Sequence, residues 1–174
     1  MKVTKRVKWI GLLVVAGLIV LYFLYPTPQL PADAKIDRIV VIKSKRLLIV
    51  YSGPKELKSY RISLGRQPVG KKQVEGDNKT PEGIYLIISK NPHSRYYKSF
   101  GISYPNQEDI DTAKRIGKSP GSAILIHGAK TGFGFLGRWL RLFDWTQGCI
   151  ALTNSEMDEL YNLIDIGTTV EIRP

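Results

Sequence analysis

From Ile36 onward the alternation of apolar and polar positions reads mostly as strand. IDRIVVIKS and RLLIVYSG are two β-branched runs joined through Ser44-Lys45, the pattern of a tight hairpin. LKSYRISLG places Leu57, Tyr60, Ile62 and Leu64 in imperfect alternation and stops at Gly65, which predicts a third strand. GIYLIIS, with Pro81 ahead of it, predicts a fourth; AILIHG, ending at His127, CIAL and TTVEIRP predict three more. Helical spacing occurs twice. In NQEDIDTAKRIG, Ile110, Ala113 and Ile116 recur every three residues, with acids leading, Lys114 and Arg115 trailing and Gly117 as the stop. Thr153 and Glu156 form a T-x-x-E capping box ahead of a helix with Met157, Leu160, Tyr161 and Ile164 on one face, stopped by Gly167. Many strands with two helices predict a mainly β domain, a sandwich or small barrel with the two helices packed on it. The Gly-rich stretch GAKTGFGFLGRW reads as a mobile loop.

The N-terminus follows a different pattern. Lys2, Lys5, Arg6 and Lys8 precede an uncharged run from Trp9 to Tyr25 whose 17 positions would rise about 25 Å as a helix, the short end of a membrane span. The run is longer than a signal-peptide core and ends without an A-x-A-like cleavage site, so a retained signal anchor is expected over a cleaved leader. Cations before the span and none after it until Lys35 put the N-terminus in the cytoplasm and the rest outside. Pro26, Pro28 and Pro31 stiffen the connection. The expected organisation is a cytoplasmic basic segment over 1–8, a transmembrane anchor over 9–25, a Pro-rich linker over 26–35 and one domain over 36–174.

The chain has 174 residues and a net charge of +11. Without the four cations before Trp9, 22 Lys and Arg stand against 15 Asp and Glu, about +7. Outside a membrane such a surface meets wall polymers and lipid headgroups rather than nucleic acid; a solvated basic surface without a partner explains the charge equally well.

Cys149 is the only cysteine, which excludes an internal disulfide and leaves an intermolecular bridge, an inert buried thiol or a reactive one. A cysteine nucleophile needs a nearby base, because at a pKa near 8.5 little of it is ionised at neutral pH. Of the two histidines, His93 sits among turn residues, whereas His127 ends a strand just before the Gly-rich loop, where it would face a cleft. Gly148 permits the backbone approach that an oxyanion hole needs. The spacing of His93, His127 and Cys149 matches no short zinc pattern, and no metal or cofactor is expected. The residues alone leave a catalytic dyad and an inert thiol both open.

His127-Gly128, followed some twenty residues later by TQGCIAL, resembles the L,D-transpeptidase catalytic domain, also called YkuD-type. That family's pattern is His-Gly, a variable loop, then Ser/Thr-His-Gly-Cys. GDNKTPEGIY is similar to its G-x-x-x-T-P-x-G segment, and NPHSRYYKSFGISYPN and DWTQGCIALTNSEMDELYNLI resemble a branch of membrane-anchored or exported bacterial wall proteins. The likeness covers roughly 39–174. It implies a β-rich fold in which the Cys149 nucleophile attacks the third-residue carbonyl of a peptidoglycan tetrapeptide stem, expels the terminal D-alanine and forms a thioester. His127 would serve as base and then acid, with the Gly148 and Cys149 amides as oxyanion hole.

Two positions depart from the family pattern. Gln147 replaces a second histidine, and an amide cannot titrate near neutral pH; Ala151 replaces an arginine. Arg138 and Arg141 are candidates for the missing cation, and Thr146, Gln147 and Gly128 for substrate contacts. Thr80, Pro81 and Gly83 read as structural, Asp144 as a turn residue, and Trp139, Phe143 and Trp145 as a covering segment.

The resemblance thus implies a transpeptidase passing the acyl group to an amine acceptor. Its rivals are an L,D-carboxypeptidase or amidase using water, and a non-catalytic wall-binding module. Expected partners are stem peptides, a wall-attached protein and the membrane through the N-terminal helix. The expected location is the plasma (inner) membrane, single-pass, with the catalytic domain periplasmic or on the wall side.

Overall fold

A computed structural model describes residues 5–24 and 28–174. Helix α1 (Lys5–Leu24) is followed by β1 (Ile36–Ile42), β2 (Leu47–Ser52), β3 (Lys55–Arg61), β4 (Gly83–Ser94) and β5 (Tyr97–Ile102). Then come α2 (Gln107–Arg115), β6 (Leu125–His127), a 3-10 stretch (Gly134–Leu142), β7 (Ile150–Ala151), α3 (Asn154–Tyr161) and β8 (Ile164–Arg173). The strands form one sheet in the order β3-β2-β1-β8-β4-β5-β6-β7. Beyond β3 the chain turns back to the far edge through the bridges Ser63–Ala151 and Gly65–Thr146, so the sheet curls into a half-barrel.

The hairpin forms where the hydrophobic runs place it, with Ile42 opposite Leu47 across an antiparallel pair. β1 also pairs in parallel with β8, and this central position explains its continuous burial at Ile39, Val40 and Val41. Ile39 and Val41 share a core with Leu48, Tyr60, Phe100, Ile126, Ile150 and Met157 that reaches α3.

Four elements differ from the sequence reading. β4 continues to Ser94 and turns into β5, a strand that the polar NPHSRYY stretch concealed. On α2 the buried residues are Asp109 and Ala113, while Ile110 and Ile116 are 40% and 45% exposed. The Asp109 carboxylate accepts the Asn106 N–H at 3.1 Å and the Tyr85 hydroxyl at 2.8 Å, and this polar anchor turns the isoleucines outward. The stretch after His127 contains a 3-10 helix rather than only loop. Gly167 lies inside β8 rather than ending α3.

The two helices expected in the domain are α2 and α3, to which the structure adds the 3-10 stretch, and α1 brings the helices among the described residues to four; the expected transmembrane anchor is corrected. Among the described residues no helix is long and apolar enough to cross a membrane. Of the 20 residues of α1, Lys5, Arg6 and Lys8 charge the first turn, which leaves 16 uncharged positions over 9–24 that rise about 24 Å against roughly 30 Å of hydrocarbon. This overturns the anchor over 9–25, the membrane contact through it and the single-pass placement in the plasma (inner) membrane. Residues 1–4 of the expected basic segment, and 25–27 where the expected anchor met the linker, lie outside the described residues.

Candidate active site

Asp144 to Cys149 form a turn clamped to the segment that follows β3. Asp144 Oδ1 accepts the Leu64 N–H at 2.9 Å, and its Oδ2 takes the Arg46 guanidinium at 3.0 Å. The Thr146 N–H donates to Leu64 O and the Arg66 N–H to Thr146 O, at 3.1 and 3.0 Å. Thr146 Oγ1 accepts the Gly148 N–H at 3.1 Å and donates to Cys149 O at 2.7 Å. The buried Thr80 supports the turn from below: its hydroxyl accepts the Gly65 N–H at 3.0 Å and its carbonyl accepts Lys43 Nζ at 2.8 Å.

β6 and β7 run parallel, with Ile126 opposite Ile150 and His127 opposite Ala151. Ile126 and Ile150 are both buried in the core, so alternation sends His127 and the Cys149 side chain to the other side of the sheet. The thiol lies between the Leu125 N–H, donated to Sγ at 3.4 Å, and the Ala123 carbonyl, 3.8 Å away, which accepts its S–H. Ala123 holds φ of 57°, a left-handed conformation that a non-glycine residue adopts at a cost of about 1–2 kcal/mol.

His127 is buried, packed on Tyr96 at 4.5 Å between ring centroids and on the Trp145 edge at 5.7 Å. Its Nδ1 lies 2.7 Å from Gly128 O. A carbonyl only accepts, so Nδ1 carries the proton and Nε2 is left as the basic nitrogen. Burial lowers the imidazole pKa to about 4, against the raising effect of that hydrogen bond. Burial also pushes the Cys149 thiol up, opposed by the Leu125 N–H and the Lys72 ammonium. At neutral pH the site therefore holds a neutral thiol and a neutral imidazole, with the base ready to accept a proton.

One consequence is that iodoacetamide will alkylate Cys149 at pH 6 no faster than it alkylates free cysteine, because a raised pKa leaves less thiolate. The rate should climb with pH beyond the free-thiol range, as followed by intact mass. Alkylation at pH 6 well above the free-cysteine rate would mean that a thiolate–imidazolium pair exists at rest.

The thiol opens on a cleft of about 470 Å³ lined by Arg66, Lys72, Glu75, Ala123, Gln147 and Cys149 among others. Lys72 is buried and bound to Asp77 Oδ1 at 2.7 Å and Val74 O at 2.9 Å. Although burial opposes it, the Lys72 bond and the N–H groups of Gln73, Lys79 and Val74 hold the Asp77 carboxyl below its usual range. Among the described residues, no group of three or more His, Cys, Asp or Glu could hold a metal ion.

The remaining sequence candidates divide. Gln147 is exposed and lines the cleft. Thr146 is buried with its hydroxyl engaged in the turn, and that hydroxyl accepts the N–H of Gly148, the expected oxyanion donor. Gly128 is buried because the site has no room for a side chain: a Cβ would sit 2.7 Å from Asn154 Oδ1. Arg141 pairs with Glu156 at the start of α3, which ties the 3-10 stretch to the domain, and it does not line the cleft. Arg138, in the same stretch, is half-buried and does not line the cleft. Asp144 binds Leu64 and Arg46 rather than His127. Trp145 packs on His127, but Trp139 and Phe143 are 46% and 69% exposed and do not cover the core. His93 is exposed near the end of β4.

Sequence reasoning missed Leu125 and Ala123, which hold the thiol, Tyr96, which packs on the imidazole, and Arg66 and Lys72 in the cleft. The aromatic pair Tyr96-Tyr97 beside an apolar run was a signal for a strand facing the site. Arg66 had none, because its position depends on a bond to Thr146, distant in sequence.

The family model described as the L,D-transpeptidase catalytic domain matches residues 36–172. The chain is 32% identical over 132 residues to the putative L,D-transpeptidase YafK of Escherichia coli (strain K12), a match covering 72% of this chain and 46% of that protein. Among solved structures, the helical cell shape determining protein Pgp2 from Campylobacter jejuni is 31% identical with a TM-score of 0.61 over 81% of this chain and 48% of that one. Bd1075 of Bdellovibrio bacteriovorus is 26% identical with a TM-score of 0.55, covering 84% of this chain and 54% of that one. The chain thus spans about half the length of these relatives.

Proposed function

Since the chain belongs to the L,D-transpeptidase catalytic domain family, whose membership supports a peptidoglycan-modifying role, we propose that it is a cysteine acyltransferase acting on tetrapeptide stems. The observation that carries this reading is a single thiol opening on a cleft, just ahead of the strand that pairs in parallel with the one holding a buried histidine whose Nε2 is unprotonated.

In the proposed reaction Sγ of Cys149 attacks the carbonyl carbon of the third stem residue while the thiol proton passes to His127 Nε2. The C–N bond to the terminal D-alanine breaks, its nitrogen takes that proton, and D-alanine leaves behind a thioester. An amine then attacks the thioester carbonyl and gives its proton to His127, and the departing Cys149 sulfur is reprotonated. The low imidazole pKa keeps Nε2 unprotonated at neutral pH and so open to the thiol proton. The same burial raises the thiol pKa, which keeps Cys149 protonated until a carbonyl stands in position. For the developing oxyanion the Cys149 amide is the proposed donor, given that the Gly148 N–H is engaged with Thr146.

The test is incubation of the full chain with purified tetrapeptide muropeptides, followed by intact-protein and product mass spectrometry. The expected result is release of D-alanine and a transient mass increase equal to the stem minus that residue. Cross-linked products would assign an amine acceptor, and trimmed tripeptides would assign water. Neither adduct nor product after extended incubation would sink the reading.

A further inference from the structure

Arg66 is a charge in the cleft that the reaction above does not use. Its backbone is fixed by the same turn that carries the thiol, through the Arg66 N–H to Thr146 O bond at 3.0 Å and the neighbouring Gly65–Thr146 bridge. Its side chain is exposed and lines the cleft together with Cys149. Among the described residues the guanidinium has no hydrogen bond and no ion pair. The other cation of the cleft, Lys72, is committed to Asp77 and Val74. Glu75 lines the same cleft without pairing with Arg66, so the guanidinium is not neutralised in place.

A cation held rigidly at its backbone, left without a partner and placed beside a nucleophile that attacks a peptide carbonyl is suited to an anionic group on that peptide. A guanidinium fork matches a carboxylate in shape and charge, which an ammonium does not reproduce. We propose that Arg66 reads a carboxylate of the donor stem peptide and so sets which carbonyl meets Cys149. This inference rests on the reading of Cys149 as nucleophile. Two carboxylates share this chemistry: the C-terminal one of the departing residue and one on the side chain of the third residue.

The experiment measures KM and kcat of the full chain and of Arg66→Gln and Arg66→Lys on three synthetic tetrapeptide stems. One is unmodified, one has a C-terminal carboxamide, and one has a side-chain carboxamide at the third residue. Arg66→Gln should raise KM on the unmodified stem roughly ten- to a hundredfold, with Arg66→Lys between it and the wild type. One of the two carboxamides should be a poor substrate for the wild type and be handled equally by wild type and Arg66→Gln; which one it is identifies the carboxylate. Equal KM for wild type and Arg66→Gln on the unmodified stem, or an undiminished effect of the substitution on both carboxamides, would overturn the proposal. Binding of the unmodified stem to Cys149→Ala with and without Arg66→Gln, by calorimetry, separates the two readings. If Cys149 is not the nucleophile, turnover persists in Cys149→Ala while the binding difference at Arg66 is still measured.

Discussion

Replacing Cys149 by alanine will abolish turnover of tetrapeptide stems, with a loss of at least about 10⁴-fold, the scale on which removal of a covalent nucleophile acts elsewhere. The fold should be untouched, since the thiol is partly exposed and makes only the two weak bonds to Leu125 and Ala123. Turnover above a few per cent of wild type with an unchanged melting temperature would remove Cys149 from the chemistry. The pH profile of the wild type adds an independent check on its partner. In the proposed mechanism His127 works in its unprotonated form, so kcat/KM should rise with pH through about 4, the value to which burial lowers this imidazole. An exposed imidazole would place that limb near 6.5. A limb at the higher value would mean that water reaches the ring, or that another group is the base. The profile matters because slow alkylation does not distinguish a nucleophile from an inert thiol here: both are protonated at rest, and only the response to a substrate carbonyl separates them.

The parts of the site that could be read from sequence are those encoded locally. A strand ending in His127 before a glycine, a lone cysteine after a glycine, and the capping box at Thr153 are each visible within a few residues, and the box is present with Thr153 and Glu156 reciprocally bonded. What could not be read depends on partners far along the chain. The pairing of Arg141 with Glu156 joins the 3-10 stretch to the next helix, and neither residue's neighbours in sequence signal it. The bond from the Gly148 N–H to the Thr146 hydroxyl has no signature in the sequence either. α2 was oriented by its isoleucines, whereas a buried carboxylate bonded to Tyr85 decides which face turns inward. β5 was hidden by polar residues whose neighbours pair with β4 and β6. The apolar run at the N-terminus shows the limit in the other direction: hydrophobicity predicted a span, and no helix among the described residues is long and apolar enough for one.

The turn under the thiol should be the most sensitive place for a single methyl group. Gly148 has φ of 133°, and a Cβ there would stand 2.7 Å from Lys79 O, so Gly148→Ala meets both a conformational and a steric penalty. Adding about 1–3 kcal/mol for each predicts a destabilisation of roughly 2–6 kcal/mol. Two other glycines separate the contributions. Gly53 has φ of 55° with nothing within 4 Å of a Cβ, so Gly53→Ala isolates the backbone penalty. At Gly65 the φ is not in the left-handed region, but a Cβ would stand 2.2 Å from Asn78 O, so Gly65→Ala isolates the clash. Equilibrium urea unfolding should rank Gly148→Ala and Gly65→Ala well below Gly53→Ala in stability. Because Gly65 and Gly148 pack against the same 78–79 backbone, the double substitution should cost less than the sum of the two singles: once that segment has moved for one methyl group, the second meets less of it. The same movement displaces the turn that aims Sγ at the cleft, so either substitution should lower kcat under conditions in which the protein remains folded. A Gly148→Ala protein as stable and as active as the wild type would mean that the 78–79 segment yields freely, and that the position of Cys149 is not fixed by glycine packing beneath it.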